Sequence, residues 1–104
     1  METIEHNGKV YQLDEDGFLA SFKQWDEDWV DYVRQLEGID KLTDEHHKVM
    51  ISLQDYYKEN GISPQVRTLS RITGFPLKDI YELFPSGPGK GACKMSGLVR
   101  PSAG

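Results

Sequence analysis

The sequence has one cysteine, Cys93, and no long apolar run. A single cysteine cannot form an internal disulfide, which excludes a disulfide-stabilised secreted scaffold. No stretch approaches the roughly 18 apolar residues of a membrane-spanning helix. Residues 1–6 have neither the basic nor the apolar region of a signal peptide. These absences predict a cytoplasmic protein that does not insert directly into a membrane.

Motifs of self-contained enzymes are also missing. The sequence has no phosphate-binding loop, no HExxH motif and no pattern that indicates a Ser-His-Asp arrangement. Adjacent histidines on a helix point about 100° apart, so His46 and His47 do not predict a metal site. Trp25 and Trp29 are interpreted as core or rim aromatics. We therefore expect neither a resident metal nor a complete active site in this chain.

The charge of this 104-residue chain is unevenly distributed. Its formal net charge is −5, yet residues 1–60 hold six basic and fifteen acidic side chains, while residues 61–104 hold six basic and two acidic ones. A chain of this length has the size of one domain. The basic C-terminal part predicts an anionic partner at that end. The negative total makes nucleic acid an unfavoured partner.

The patterns predict a mainly α fold with an N-terminal hairpin. Two alternating stretches, 3–6 and 9–13, flank Asn7-Gly8, a pair that suits a two-residue type I′ turn. A first helix runs from Asp26 to Gly38 by its apolar spacing. A second begins at Thr43 as N-cap, with His46 in the third helical position, and ends at 60–61.

Two shorter helices are predicted before Pro85. The third begins at Ser63-Pro64, with serine as N-cap and proline at the first helical position, and ends at Gly74. The fourth covers 76–84. The side chains expected to face the core are Val66, Leu69 and Ile72 in the third helix, and Leu77, Ile80, Tyr81 and Phe84 in the fourth.

The third and fourth helices have the spacing of a helix-turn-helix pair. Asp79 and Glu82 lie on the second of the two, where a DNA-recognition helix needs positive charge. A compact helical domain with a helix-turn-helix-like pair is therefore predicted, with DNA binding as the weaker interpretation.

Residues 86–104 are predicted to form a flexible C-terminal arm on a body of residues 1–85. The arm carries Cys93, with glycines before it and with Lys90 and Lys94 nearby. Free cysteine is often buried as a small apolar residue, but positive charge lowers the pKa of a thiol and increases its thiolate fraction. The pattern favours an exposed, sulfur-exchanging thiol.

The remaining basic residues form a candidate anion-binding set. Lys90, Lys94 and Arg100 lie in the arm, and Arg67 and Arg71 are four residues apart on the third helix, which places them on one face. Arginine binds oxyanions through two parallel hydrogen bonds. We expect these five side chains to bind an anionic group of a partner.

Several segments resemble the DsrC/TusE family. The strongest is residues 83–95, which read LFPSGPGKGACKM, and further matches are DEDGFL at 14–19, LQDYY at 53–57, and the stretch from 73–75 through 81–85. The similarity extends over the whole chain. It favours the dissimilatory branch, which is also called the gamma subunit of dissimilatory sulfite reductase.

The resemblance implies a sulfur carrier and redox partner of an oxidoreductase. The C-terminal arm would enter the reductase and take part in the reduction of sulfite to sulfide, with Cys93 exchanging sulfur. The implied partners are the catalytic alpha and beta subunits and a membrane electron-transfer complex. Sirohaem and iron–sulfur clusters are expected in the partner reductase, with no cofactor bound by this chain.

The sequence departs from the family pattern at position 104. The resemblance implies a second cysteine eleven residues after Cys93, where this sequence has Gly104, so the implied bond between two arm cysteines has no second partner in these residues. The TusE branch normally keeps only the distal cysteine. Sulfur relay for tRNA 2-thiouridine synthesis and a DNA-binding regulatory relative remain the alternative functions.

Overall fold

The chain folds as a β-hairpin followed by helices, and the computed structural model describes residues 2–98. The hairpin strands are β1 (Glu2–His6) and β2 (Lys9–Leu13). The helices are α1 (Glu27–Glu37), α2 (Asp44–Asn60), α3 (Val66–Thr73) and α4 (Leu77–Leu83), followed by a π-helix (Pro88–Cys93). The predicted mainly α domain with an N-terminal hairpin is confirmed. No helix within residues 2–98 combines the length and the apolar character needed to cross a membrane.

The hairpin turn forms at Asn7-Gly8, as predicted. His6 pairs with Lys9 across the antiparallel strands, and both turn residues have positive φ angles, 53° at Asn7 and 80° at Gly8. Such angles define the type I′ turn that matches the twist of a hairpin. Ion pairs fix the hairpin to the start of α1, because Lys9 Nζ lies 3.0 Å from Asp26 Oδ2 and 2.7 Å from Asp28 Oδ2.

The two long helices begin where predicted, and α2 also has its predicted cap, Thr43. Asp26 Oδ1 accepts the Trp29 N–H of α1 at 2.9 Å. At α2, Thr43 and His46 form a capping box in which His46 Nδ1 accepts the Thr43 N–H at 3.0 Å. Because Nδ1 accepts, the proton of the neutral ring is on Nε2, which donates to the Leu83 carbonyl at 2.9 Å. His46 therefore joins the start of α2 to the end of α4.

The predicted start of α3 is wrong. The helix begins at Val66 with Gln65 as N-cap and without a side-chain capping bond. Ser63 and Pro64 are buried before it, and the Ser63 side chain forms a hydrogen bond with the Cys93 thiol. The hydroxyl that the sequence pattern assigned to the helix cap therefore lies beside the cysteine and does not cap α3.

The predicted core faces of α3 and α4 are only partly correct. Leu69, Ile80 and Phe84 are buried, whereas Ile72, Leu77 and Tyr81 are exposed. Thr73 is buried on α3, with its hydroxyl donating to the Leu69 carbonyl at 2.8 Å. Each helix has about two turns, so only one narrow row of side chains contacts the core.

The C-terminal segment, defined here as residues 86–98, packs into the core. Ala92, Cys93, Met95 and Leu98 are buried in the same apolar cluster as Trp29. This placement differs from the flexible arm predicted from residue 86, because apolar side chains recur along the segment and fill the centre of the fold. The other predicted arm residues, 99–104, lie outside the described residues.

The core connects the hairpin, the helices and the C-terminal segment in one cluster. Its buried members are Tyr11, Leu13, Phe18, Leu19, Trp29, Val30, Val33, Val49, Met50, Leu53, Leu69, Ile80, Phe84, Ala92, Cys93, Met95 and Leu98. Gly91 allows the segment to approach closely, since a Cβ atom there would lie 2.9 Å from Phe84 Cβ. The segment therefore contributes to folding stability as part of the core.

Candidate functional site

Cys93 lies at the end of the π-helix and inside the core. It is 1% exposed, and its thiol forms a hydrogen bond with the side chain of Ser63, which is itself buried. The predicted exposure of the thiol is therefore wrong for this conformation. A reagent or partner cannot reach the sulfur without a movement of the residues that cover it.

The environment of Cys93 also reverses the predicted direction of its pKa. Burial raises the pKa of the thiol from 9.0 to about 11, and the Ser63 hydrogen bond only partly opposes this effect. Neither neighbouring lysine contributes to this shift. Lys94 Nζ lies 5.3 Å from the centre of the Phe18 ring, and Lys90 is exposed. At neutral pH the buried sulfur is therefore a neutral thiol.

Three side-chain donors bind consecutive carbonyl groups directly after Cys93. Trp29 Nε1 donates to the Lys94 carbonyl at 2.7 Å, and Trp25 Nε1 donates to the Met95 carbonyl at 2.9 Å. Gln54 Nε2 donates to the Ser96 carbonyl at 3.0 Å. We call Trp25, Trp29 and Gln54 the carbonyl anchor. Carbonyls at a helix end lack intrahelical partners, and the anchor supplies a side-chain donor to each of these three.

The sequence did not reveal the carbonyl anchor. The donors and acceptors are 42 to 70 residues apart, and neither tryptophan stands in a recognisable motif. The only available signal was chemical, since buried tryptophan usually requires an acceptor for its N–H. That rule indicates that an acceptor exists without identifying it.

The turn after Cys93 depends on glycine at position 97. The Leu98 N–H donates to the Cys93 carbonyl at 3.0 Å, and the Gly97 N–H donates to the Lys94 carbonyl at 3.1 Å. Gly97 has a φ angle of +79°, and a Cβ atom there would lie 2.6 Å from Cδ1 of Trp25. The indole thus packs directly against the backbone that follows the cysteine.

The beginning of the C-terminal segment is held by Glu37 at the end of α1. The carboxylate of Glu37 accepts the Ser86 N–H at 3.0 Å and also accepts the Ser86 hydroxyl proton. Hydrogen bonds from the body therefore hold the segment both before and after the cysteine. They act on its backbone and on Ser86, whereas the Ser63 side chain bonds to the sulfur.

Four of the five predicted anion-binding residues lie within residues 2–98. Arg67 and Arg71 are exposed on α3, Lys90 is exposed, and Lys94 is half-buried against Phe18. None of these four side chains forms an ion pair within residues 2–98. Arg100 lies outside the described residues. The role of the set in anion binding stays a prediction.

The histidines have structural partners. His46 occupies the capping box and bonds to Leu83, and His47 Nδ1 lies 3.0 Å from the Thr43 carbonyl oxygen. In the part of the chain that the structure describes, no cluster of three or more His, Cys, Asp or Glu side chains could hold a metal ion. Cys93 and its surroundings are therefore the candidate site.

Comparisons with known proteins match almost the full length of the chain. A family profile described as "DsrC like protein" matches residues 5–103. The dissimilatory-type sulfite reductase subunit gamma of Nitratidesulfovibrio vulgaris is 56% identical over 102 residues, which cover 98% of this chain and 97% of that protein. A sulfurtransferase TusE homolog of Haemophilus influenzae is 37% identical over 103 residues, covering 92% of this chain and 94% of the homolog.

The fold has matching solved structures. A chain in the crystal structure of dissimilatory sulfite reductase I (DsrI) superimposes with a TM-score of 0.91 at 54% identity, and 99% of each chain is covered. The agreement extends through the hairpin, the helices and the C-terminal segment, because the coverage is nearly complete. By sequence and by fold, this chain belongs to the DsrC family.

Proposed function

We propose that the chain is a sulfur-carrier and redox partner, the gamma subunit, of dissimilatory sulfite reductase. The observation that carries this proposal is the 56% identity, over nearly the whole chain, to a dissimilatory-type subunit gamma. The 54% identity to a chain of DsrI also supports it. The catalytic alpha and beta subunits would be the partners, and the sirohaem and iron–sulfur clusters would belong to them.

Cys93 is the residue proposed to exchange sulfur. A thiolate attacks a disulfide or a similar polarised sulfur atom, whereas a neutral thiol does not. In the buried position the pKa of about 11 opposes thiolate formation. The proposed reaction therefore requires a movement that exposes the sulfur to the partner. Exposure to water would then return the pKa of the thiol towards its ordinary value.

The basic side chains are proposed to guide this meeting. Lys90 is already exposed, and Lys94 contacts the body mainly through the Phe18 ring. With Arg100 they would give the released segment positive charge without a compensating acidic residue. Positive charge increases the rate of association with an anionic pocket.

Co-purification from a host that makes all three subunits tests the partnership. We expect the tagged chain to retain the alpha and beta subunits, and Cys93→Ala to retain them too, because binding depends on the shape and charge of the segment. Replacing Lys90, Lys94 and Arg100 together with glutamine should make the complex dissociate at lower salt. An Arg67→Gln/Arg71→Gln variant tests whether α3 contributes. Absence of the reductase subunits from the wild-type preparation would contradict the proposal.

A sulfur-relay role in tRNA thiolation is the second candidate. It is supported by the 37% identity to a sulfurtransferase TusE homolog. Deletion of the gene should then lower the 2-thiouridine content of tRNA, and the wild-type chain should restore it. Unchanged 2-thiouridine together with a stable reductase complex would favour the first proposal.

A further inference from the structure

The carbonyl anchor concentrates polar contacts on the stretch that directly follows the buried thiol. Both tryptophans of the chain donate to it, and Gln54 binds the next carbonyl. Residues 94–98 otherwise contribute two large apolar side chains to the core, Met95 and Leu98. No helix of the described chain follows this stretch. Its separation from the body would therefore leave the hydrogen bonds within α1 to α4 intact.

The two ends of the C-terminal segment are held differently. At its beginning, Ser86 is bound to Glu37, and Gly91 packs closely on Phe84. After the cysteine, every one of the three side-chain donors comes from the body and every acceptor is a main-chain carbonyl. Water can replace such donors once the stretch opens, because exposed carbonyls are readily hydrated. Opening after Cys93 thus requires less disruption than lifting the whole segment.

We propose that Trp25, Trp29 and Gln54 are positioning residues that control how often the Cys93 thiol is exposed, by holding residues 94–98 against the body. The thiol reacts when this stretch opens locally, while the rest of the fold remains intact. This inference deepens the proposed function, because it names the control of the same thiol, and it rests on that function for its biological purpose.

Thiol labelling with 5,5′-dithiobis(2-nitrobenzoate) measures the opening without any partner. We expect the wild-type chain to react slowly, at a rate that hardly changes with urea below the unfolding transition. Local openings expose little surface and respond weakly to urea, whereas global unfolding responds steeply. Removing one donor should increase the low-urea rate roughly fivefold, the effect of one typical net hydrogen bond.

Two variants test different donors of the anchor. Gln54→Glu keeps the shape of the side chain and replaces the donor with an acceptor. Trp25→Phe removes the indole N–H at a half-buried position. Tyr11→Phe is the matched control. It deletes a hydroxyl beside Trp29 that donates to Asp26, at 2.6 Å, and not to the carbonyls of residues 94–96. Faster labelling of both test variants, with the control unchanged and the urea response still shallow, supports the proposal.

Other results would overturn the inference. Labelling of Gln54→Glu and Trp25→Phe at the wild-type rate would mean that the anchor does not limit opening. An increase that follows the steep urea dependence of global unfolding would mean that the anchor acts only on overall stability. Both results are independent of co-purification with the reductase subunits. Failure of this inference and failure of the proposed function can therefore be distinguished.

Discussion

At the scale of single residues, Cys93 demonstrates that neighbours in sequence do not define an electrostatic environment. Lys90 and Lys94 predicted a lowered pKa for the thiol, yet burial raises it to about 11. The ammonium of Lys94 lies over Phe18 instead. Desolvation of the charged form therefore outweighs any attraction from these lysines.

The raised pKa of Cys93 predicts a loss of stability at alkaline pH. The folded state holds the thiol proton more tightly than the unfolded state, so this contribution is complete below about pH 9 and is lost as the pH rises through about 11. The maximum effect is about 3 kcal/mol for a difference of two pKa units. Urea denaturation from pH 7 to 11, with reductant, should show a steeper decline for wild type than for Cys93→Ala.

The two proteins are compared by the slope of the free energy of unfolding against pH, and not by its absolute value. Cys93→Ala lowers the stability at every pH because it leaves a small cavity, while the other alkaline titrations remain in both proteins. Parallel declines for the two proteins would mean that the thiol does not lose its proton across the unfolding transition.

At the scale of elements, helix starts are determined by local chemistry wherever the capping side chain has no other partner. Thr43 caps α2 as its sequence predicts, and Asp26 caps α1 at the predicted start of that helix. Ser63, whose side chain bonds to Cys93, does not cap α3, and the helix begins three residues later. His46 forms a local and a tertiary contact at once, because it completes the capping box of α2 and bonds to the Leu83 carbonyl at the end of α4.

The two adjacent histidines of α2 should differ in their effect on stability. Glutamine at the third helical position can still complete a capping box, so His46→Gln isolates the loss of the Leu83 bond and of the edge contact with Phe84, whose ring centre is 5.2 Å away. We expect a loss of about 1–3 kcal/mol in the free energy of unfolding. His47→Gln, at an exposed position, should change it by less than about 0.5 kcal/mol. Equal losses in urea denaturation would refute this role of His46.

At the scale of the whole molecule, a set of polar contacts attaches the hairpin to α1, in addition to the core that both the hairpin and the C-terminal segment share. Tyr11 donates to Asp26 Oδ1 at 2.6 Å, and His6 lies 2.9 Å from Asp31. Burial alone would raise the pKa of Asp26, but bonds from Tyr11, the Trp29 N–H and Lys9 together hold it below its usual value. The His6 and Arg34 side chains likewise lower the pKa of Asp31.

These lowered carboxyl pKa values predict acid sensitivity of the hairpin contact. The two carboxylates contribute fully to the free energy of unfolding above the ordinary aspartate pKa of about 3.9. This contribution is lost as the pH falls through their lower pKa values in the folded state. Asp26→Asn keeps an N-cap acceptor for Trp29 but loses the charge facing Lys9, so its stability should fall less steeply between pH 5 and 2. Asp40→Asn, at an exposed position after α1, should retain the wild-type slope. A wild-type slope in Asp26→Asn would mean that the charge of Asp26 does not stabilise the contact between the hairpin and α1.

The sequence by itself determined the features that depend on nearby residues. The hairpin turn requires only Asn7-Gly8, the starts of α1 and α2 require capping side chains within three positions, and the family resemblance rests on contiguous segments such as 83–95. In each case the residues that matter lie within a few positions of one another, so the sequence alone identifies them. The mainly α fold followed from the same local patterns.

Only the tertiary structure decided where the cysteine lies and what covers it. The glycines and lysines around Cys93 predicted a free arm, but Ala92, Met95 and Leu98 supply an apolar surface that the body buries. The donors that hold this stretch are 42 to 70 residues away in sequence. Burial and long-range hydrogen bonding depend on how the helices assemble, and no local pattern around Cys93 contains that information.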